Sequence, residues 1–156
     1  MKKNVIGLGM GVLVLMAVAL FAEDAASNNL VPVEIVLPEE YLGGTPCDYW
    51  SSVLEPYDYR DRPPFLAPKG TTNVALQKPV TSSVPPVHGE LKQITDGDKG
   101  HARNCLVEIP GGVQWVQVDL EKECAIYAVL VWHFHEGKRV YFDMIMQVSD
   151  DPGFKD

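Results

Sequence analysis

The chain has 156 residues, 21 acidic against 13 basic, and a formal net charge of −8. An acidic chain with no Lys/Arg cluster is a poor nucleic-acid binder, because the phosphate backbone is read through such clusters. Three cysteines without a C-x-x-C spacing exclude a disulfide scaffold, a structural zinc site and a dithiol redox centre.

Met1-Lys2-Lys3-Asn4 is basic, and Val5 to Ala22 is apolar up to Glu23-Asp24, the order of a secretory leader with a cut after Ala22. The alternative is an uncleaved anchor, since a run of about 18 apolar residues just spans a bilayer. Both place the chain outside the cytoplasm: exported, extracellular, periplasmic or at the cell surface, with no membrane contact beyond the leader. An oxidising compartment permits a single bridge among Cys47, Cys105 and Cys124, and the other reading is three separate thiols.

Residues 23–70 form a Pro/Tyr-rich arm. Leu30 to Leu37 has strand composition, but Pro32 bars it from the middle of a sheet. Pro38, Pro46, Pro56, Pro63, Pro64 and Pro68 exclude a persistent helix. Tyr41, Tyr49, Trp50, Tyr57 and Tyr59 are too aromatic for a disordered linker, so the arm is expected to lie, ordered and irregular, against the domain that begins near Thr71.

From Thr71 the pattern is that of short strands separated by turns. Val113 to Leu120 alternates, which puts Val113, Trp115, Val116, Val118 and Leu120 forward as core candidates. Ala125 to Phe134 is almost wholly apolar, as a strand covered on both sides would be, and Val140 to Val148 ends in the turn Ser149-Asp150-Asp151-Pro152-Gly153. Strand parity assigns Trp132 and Phe134 to the core, and His133 and His135 to the exposed face. His88 and His101 read as isolated loop residues.

Four motifs occur in order: Asn73, Ala75, Lys78, Pro79 and Ser83; the turn Asp96-Gly97-Asp98; Trp115, Val116, Val118, Asp119 and Leu120; and Val148, Ser149 and Asp151. Together they make residues 71–156 resemble the discoidin domain family, also called the coagulation factor type C domain, of the galactose-binding-like superfamily. The resemblance implies an all-β fold, a jelly-roll β-sandwich, with its last strands missing, so that 71–156 is expected to be a partial domain. It also implies a structural Ca²⁺ held by Asp96, Asp98 and the carbonyl of Gln93, although His101 stands where the family has a threonine. The plainer reading of Asp96 and Asp98 is an Asx-type turn. A second candidate site is the loop of Trp132, His133, His135 and Arg139, where an aromatic ring and planar donors suit the face and hydroxyls of a sugar.

No nucleophile elbow or facing carboxylate pair is legible, so no enzymatic activity is expected. Asp119 is assigned a structural hydrogen bond. Two histidines with Glu136 and no third ligand make a weak zinc site. The reading is a non-catalytic binding module for carbohydrate; the alternatives are a structural or protein-binding module, or a nonfunctional fragment, of a larger surface protein.

Overall fold

The computed structural model describes residues 5–8, 14–20, 29–36, 52, 60, 63–100, 102–134, 141 and 143–155. Among them regular structure is strand, with short 3-10 turns at Leu91–Ile94 and Arg103–Cys105 and no α-helix. The strands are β1 (Val5–Leu8), β2 (Val14–Leu20), β3 (Leu30–Pro32), β4 (Leu66–Pro68), β5 (Thr72–Asn73), β6 (Val80–Ser82), β7 (Val116–Asp119), β8 (Ala125–Trp132) and β9 (Met146–Ser149). They form a four-stranded sheet ordered β6-β7-β1-β9, a three-stranded sheet ordered β5-β2-β8, and the two-stranded ladder β3-β4.

The stretch that reads as a secretory leader supplies an inner strand to each of the two larger sheets. Val5 lies opposite both Asp119 of β7 and Ser149 of β9, and Leu8 opposite Val116 and Met146. In the other sheet β2 pairs with β5 on one side and, from Val14 opposite Trp132 to Leu20 opposite Ala125, with β8 on the other. Uncharged runs rich in Val, Leu and Ile satisfy either role, because both a leader and a strand flanked by two neighbours require continuous apolar composition.

The core gathers Ala75, Ile94, Val107, Ile109, Val116, Val118 and Leu120, with Ile126, Val129 and Val131 of β8 packed against it. Only the even positions of the 113–120 run go inside. Val113 is 100% exposed and Trp115 46%, whereas Val118 is 0% exposed. The expected core is corrected accordingly: alternation held, but its phase is set by Val116, Val118 and Leu120, and the regular strand starts only at Val116.

The second correction concerns β8. Opposite Val18 stands Ala128 and opposite Ala19 stands Ile126, so Tyr127 is an extra residue, a β-bulge. A bulge reverses which parity faces a given side: Ile126 packs on the core before it, and Val129 and Val131 after it. Trp132 therefore shares the parity of Leu130 rather than of the core-packed valines. The strand is half-buried and lies at the edge of its sheet, not covered on both sides as its composition suggests.

Pro32 takes a place compatible with its missing N–H: β3 is half of a two-stranded ladder, extended by Val33 N–H to Phe65 O and Lys69 N–H to Asn29 O. Most of the proline- and tyrosine-rich arm lies outside the described residues. Its described part is held against the later chain where Lys99 donates to the carbonyl of Val36.

Candidate functional site

The acidic turn begins where the Leu91–Ile94 3-10 turn drives Ile94 into the core, with Thr95 buried beside it. Asp98 N–H then donates to Asp96 Oδ1 at 2.8 Å, and Gly100 N–H donates to Asp98 Oδ1 at 2.8 Å. These are consecutive Asx turns, closed by side chains that mimic a backbone carbonyl. Gly97 between them has φ of +89°, a left-handed value that glycine adopts without strain.

Gln93, expected to offer its backbone carbonyl to the ion, uses its side chain to brace the turn. Its Oε1 accepts from Glu90 N–H at 2.5 Å, and its Nε2 donates to Asn104 O at 2.6 Å, tying this 3-10 turn to the one at Arg103–Cys105. Among the described residues no group of three or more His, Cys, Asp or Glu is placed to hold a metal ion. His101 lies outside the described residues.

Asp98 also meets the thiol of Cys105. The Gly100 N–H, and after it the Cys105 hydrogen bond, hold the Asp98 carboxyl below its ordinary value. The same contact raises the Cys105 thiol, since ionising it would place a second negative charge beside the carboxylate. Cys105 is a free thiol, the Cys124 thiol donates to the Lys122 carbonyl at 3.6 Å, and Cys47 is outside the described residues.

Lys99, next in sequence, reaches across to the second candidate site. Its Nζ sits 5.2 Å from the centroid of the Trp132 ring, a cation–π contact. The expected aromatic platform thus already carries an ammonium group. Beyond the strand, the His133 ring stacks on Tyr141 with centroids 4.0 Å apart and planes 19° from parallel, and Tyr141 Oη donates to the carbonyl of Phe134 at 3.4 Å. Trp132, His133 and Phe134 are all half-buried, which corrects the division into a core aromatic pair and an exposed histidine. His135 and Arg139, and Glu136 with them, lie outside the described residues.

Lys99 and Tyr141 are the members of this cluster that sequence reasoning missed. Nothing local marks Lys99, because only the fold brings the 96–100 turn to the end of β8. Tyr141 carried a signal, an aromatic at the start of the third strand-like run. His88 was misread as an isolated residue: it bridges Glu108 in a short antiparallel pair, and its Nε2 lies 2.6 Å from the carbonyl oxygen of Arg103.

Two apolar surfaces stand apart from these residues. One is the tip of Val113 and Trp115, braced by Ser83, whose hydroxyl donates to Gln114 Oε1 at 2.6 Å and accepts the Trp115 N–H at 3.1 Å. The other is β9, at the edge of the four-stranded sheet, where Met146 and Val148, with Ile145 just before them, are exposed. The chain matches no protein-family model, no curated protein and no solved structure.

Proposed function

We propose that the chain is an exported, non-catalytic structural or protein-binding module of a larger surface assembly. The observation that carries this reading is β9, an outermost strand whose outer side is unpaired whether or not β1 stays beside it, with Met146 and Val148 exposed on one face and Ile145 leading into it. An apolar edge with unpaired backbone groups is a template for a partner strand, and proteins normally blunt such edges with charge or proline. Main-chain hydrogen bonds give such pairing its affinity and alternate side chains its specificity. Substituting both Met146→Lys and Val148→Lys leaves the core untouched and adds charge to the edge. In cross-linking at the surface of the producing cell, the native chain is expected to capture a protein that the double variant does not; equal capture by both overturns the reading.

A second reading, a carbohydrate-binding module of discoidin-like jelly-roll sandwich type, draws support from the Lys99, Trp132, His133 and Tyr141 cluster, which collects a cation and three planar rings at one strand end. Ca²⁺ at Asp96 and Asp98 belongs with this reading. A glycan array tests it, with Trp132→Ala as the control expected to abolish any signal. Calcium is tested separately by a rise in melting temperature on adding CaCl₂ that Asp96→Asn removes.

A further inference from the structure

The segments that bound β9 are both acidic. Before the strand, Asp143 is exposed and holds a left-handed φ of +50°; after it, Ser149 leads into Asp150 and Asp151. Asp151 is fixed in its turn, its two oxygens accepting the N–H groups of Gly153 and Lys155 at 3.0 Å each. Gln117 Nε2 of β7 donates to the Pro152 carbonyl at 3.3 Å, so this turn is fastened to a core strand by a contact that does not pass through β1. Between the two acidic segments, Met146, Gln147 and Val148 are exposed and uncharged.

A second copy of the chain is a poor occupant of this edge. Antiparallel β9 strands about a two-fold axis at Gln147 set Met146 against Val148, which suits both, yet the same axis sets Asp143 against Asp151 at both ends. Like charges facing each other across strands destabilise the pair. A strand with cations at its ends turns that repulsion into attraction, and a chain of formal charge −8 adds long-range steering toward it. We propose that the partner recognised by β9 is an extended protein segment with alternate apolar residues at its centre and Lys or Arg at both ends, added to the edge as a strand. This deepens the protein-binding reading and rests on it. Main-chain hydrogen bonds hold the segment, its apolar residues cover Met146 and Val148, and its terminal cations set the register against Asp143 and Asp151.

The probe is a fluorescent peptide, Lys-Thr-Thr-Val-Thr-Val-Thr-Thr-Lys, compared by anisotropy with the same peptide ended in Glu, both against the chain in its exported form. At low ionic strength the Lys-ended peptide is expected to bind about tenfold tighter, with the ratio falling at high salt. Asp143→Asn combined with Asp151→Asn should lower that ratio about threefold or more. Asn tolerates the left-handed φ at 143 and keeps an acceptor oxygen at 151, so the turns survive the change. Equal affinities for the two peptides, or a ratio that the double Asn variant leaves unchanged, overturn the inference and leave the edge reading standing. Binding by neither peptide, binding that survives N-methylation of the central peptide amides, or binding untouched by Met146→Lys with Val148→Lys overturns the edge reading and the inference together. Sedimentation tests the other occupant: the native chain is expected to stay monomeric, and a concentration-dependent dimer that Met146→Lys with Val148→Lys dissociates overturns the basic partner in favour of a second copy.

Discussion

Val113 and Val118 are the same residue type in one short run, one fully exposed and the other fully buried. Replacing each by Ala deletes the same two carbons, so the difference between the two variants isolates burial. For Val118→Ala the lost transfer free energy is about 1.6 kcal/mol, from about 0.8 per buried carbon group. Val118 packs among Ala75, Ile94, Val107 and Val116, where neighbours relax only in part, and the residual cavity brings the total to about 2–3 kcal/mol. At about 3 °C per kcal/mol for a chain of this size, Val118→Ala is expected to melt roughly 6–9 °C lower. Val113→Ala should stay within about 0.5 kcal/mol of the native chain. Urea denaturation followed by tryptophan fluorescence and far-ultraviolet circular dichroism measures both. Equal losses for the two variants, or a loss below about 1 kcal/mol for Val118→Ala, would refute the assignment of even positions to the core.

Gly89→Ala should cost about 2 kcal/mol or more, because its φ of +74° is left-handed and an added Cβ would fall on the Leu106 carbonyl oxygen; a thermal melt reads the loss. Alkylation of Cys105 should be slow at neutral pH, its thiol being raised by Asp98, and Asp98→Ala should speed it several-fold with the rate profile displaced to lower pH, as measured by mass spectrometry. Because the folded Asp98 carboxyl is lowered, its contribution to stability is present above the unfolded carboxylate value near 4 and is lost as the pH falls through the folded value; Asp98→Asn should flatten that acid limb in pH-dependent denaturation. Glu121→Gln should cost only about 0.2–1 kcal/mol, less at high salt, since the 2.6 Å ion pair it makes with Lys78 is partly exposed.

Strand composition and turn chemistry were legible because both are local. The turn at Asp150-Asp151-Pro152-Gly153 was read correctly, with Gly153 N–H and Lys155 N–H donating to Asp151. Asp119, assigned a structural role, accepts the Glu121 N–H at 2.7 Å. The phase of alternation was not legible from Val113 to Leu120, where apolar residues occupy both parities and only packing chooses between them. The bulge at Tyr127 was hidden for a related reason: in an unbroken apolar run, an inserted residue leaves no mark on the pattern, yet it reverses the placement of everything after it, including Trp132 and His133. Val5 to Leu20 shows composition at its least discriminating, since leader, membrane anchor and inner strand all require the same residues. At the candidate site, the acidic turn could be read from three consecutive residues, whereas Lys99 over Trp132 depends on tertiary approach.

Thr95 has consequences for how the protein comes apart. Its buried hydroxyl donates to the Lys78 carbonyl at 2.9 Å, its own carbonyl accepts the Gln77 N–H at 2.6 Å, and its backbone N–H returns to Lys92. Lys78 in turn reaches Glu121, just past β7. The segment around Asn73 to Lys78 and the turn from Leu91 to Thr95, separated along the chain by β6 and its proline loop, are thus fastened at one residue, through its hydroxyl and its carbonyl. They should open as a single cooperative unit, with amide protons in both exchanging at a common rate, and Thr95→Val should split that unit by giving the earlier segment its own, faster opening.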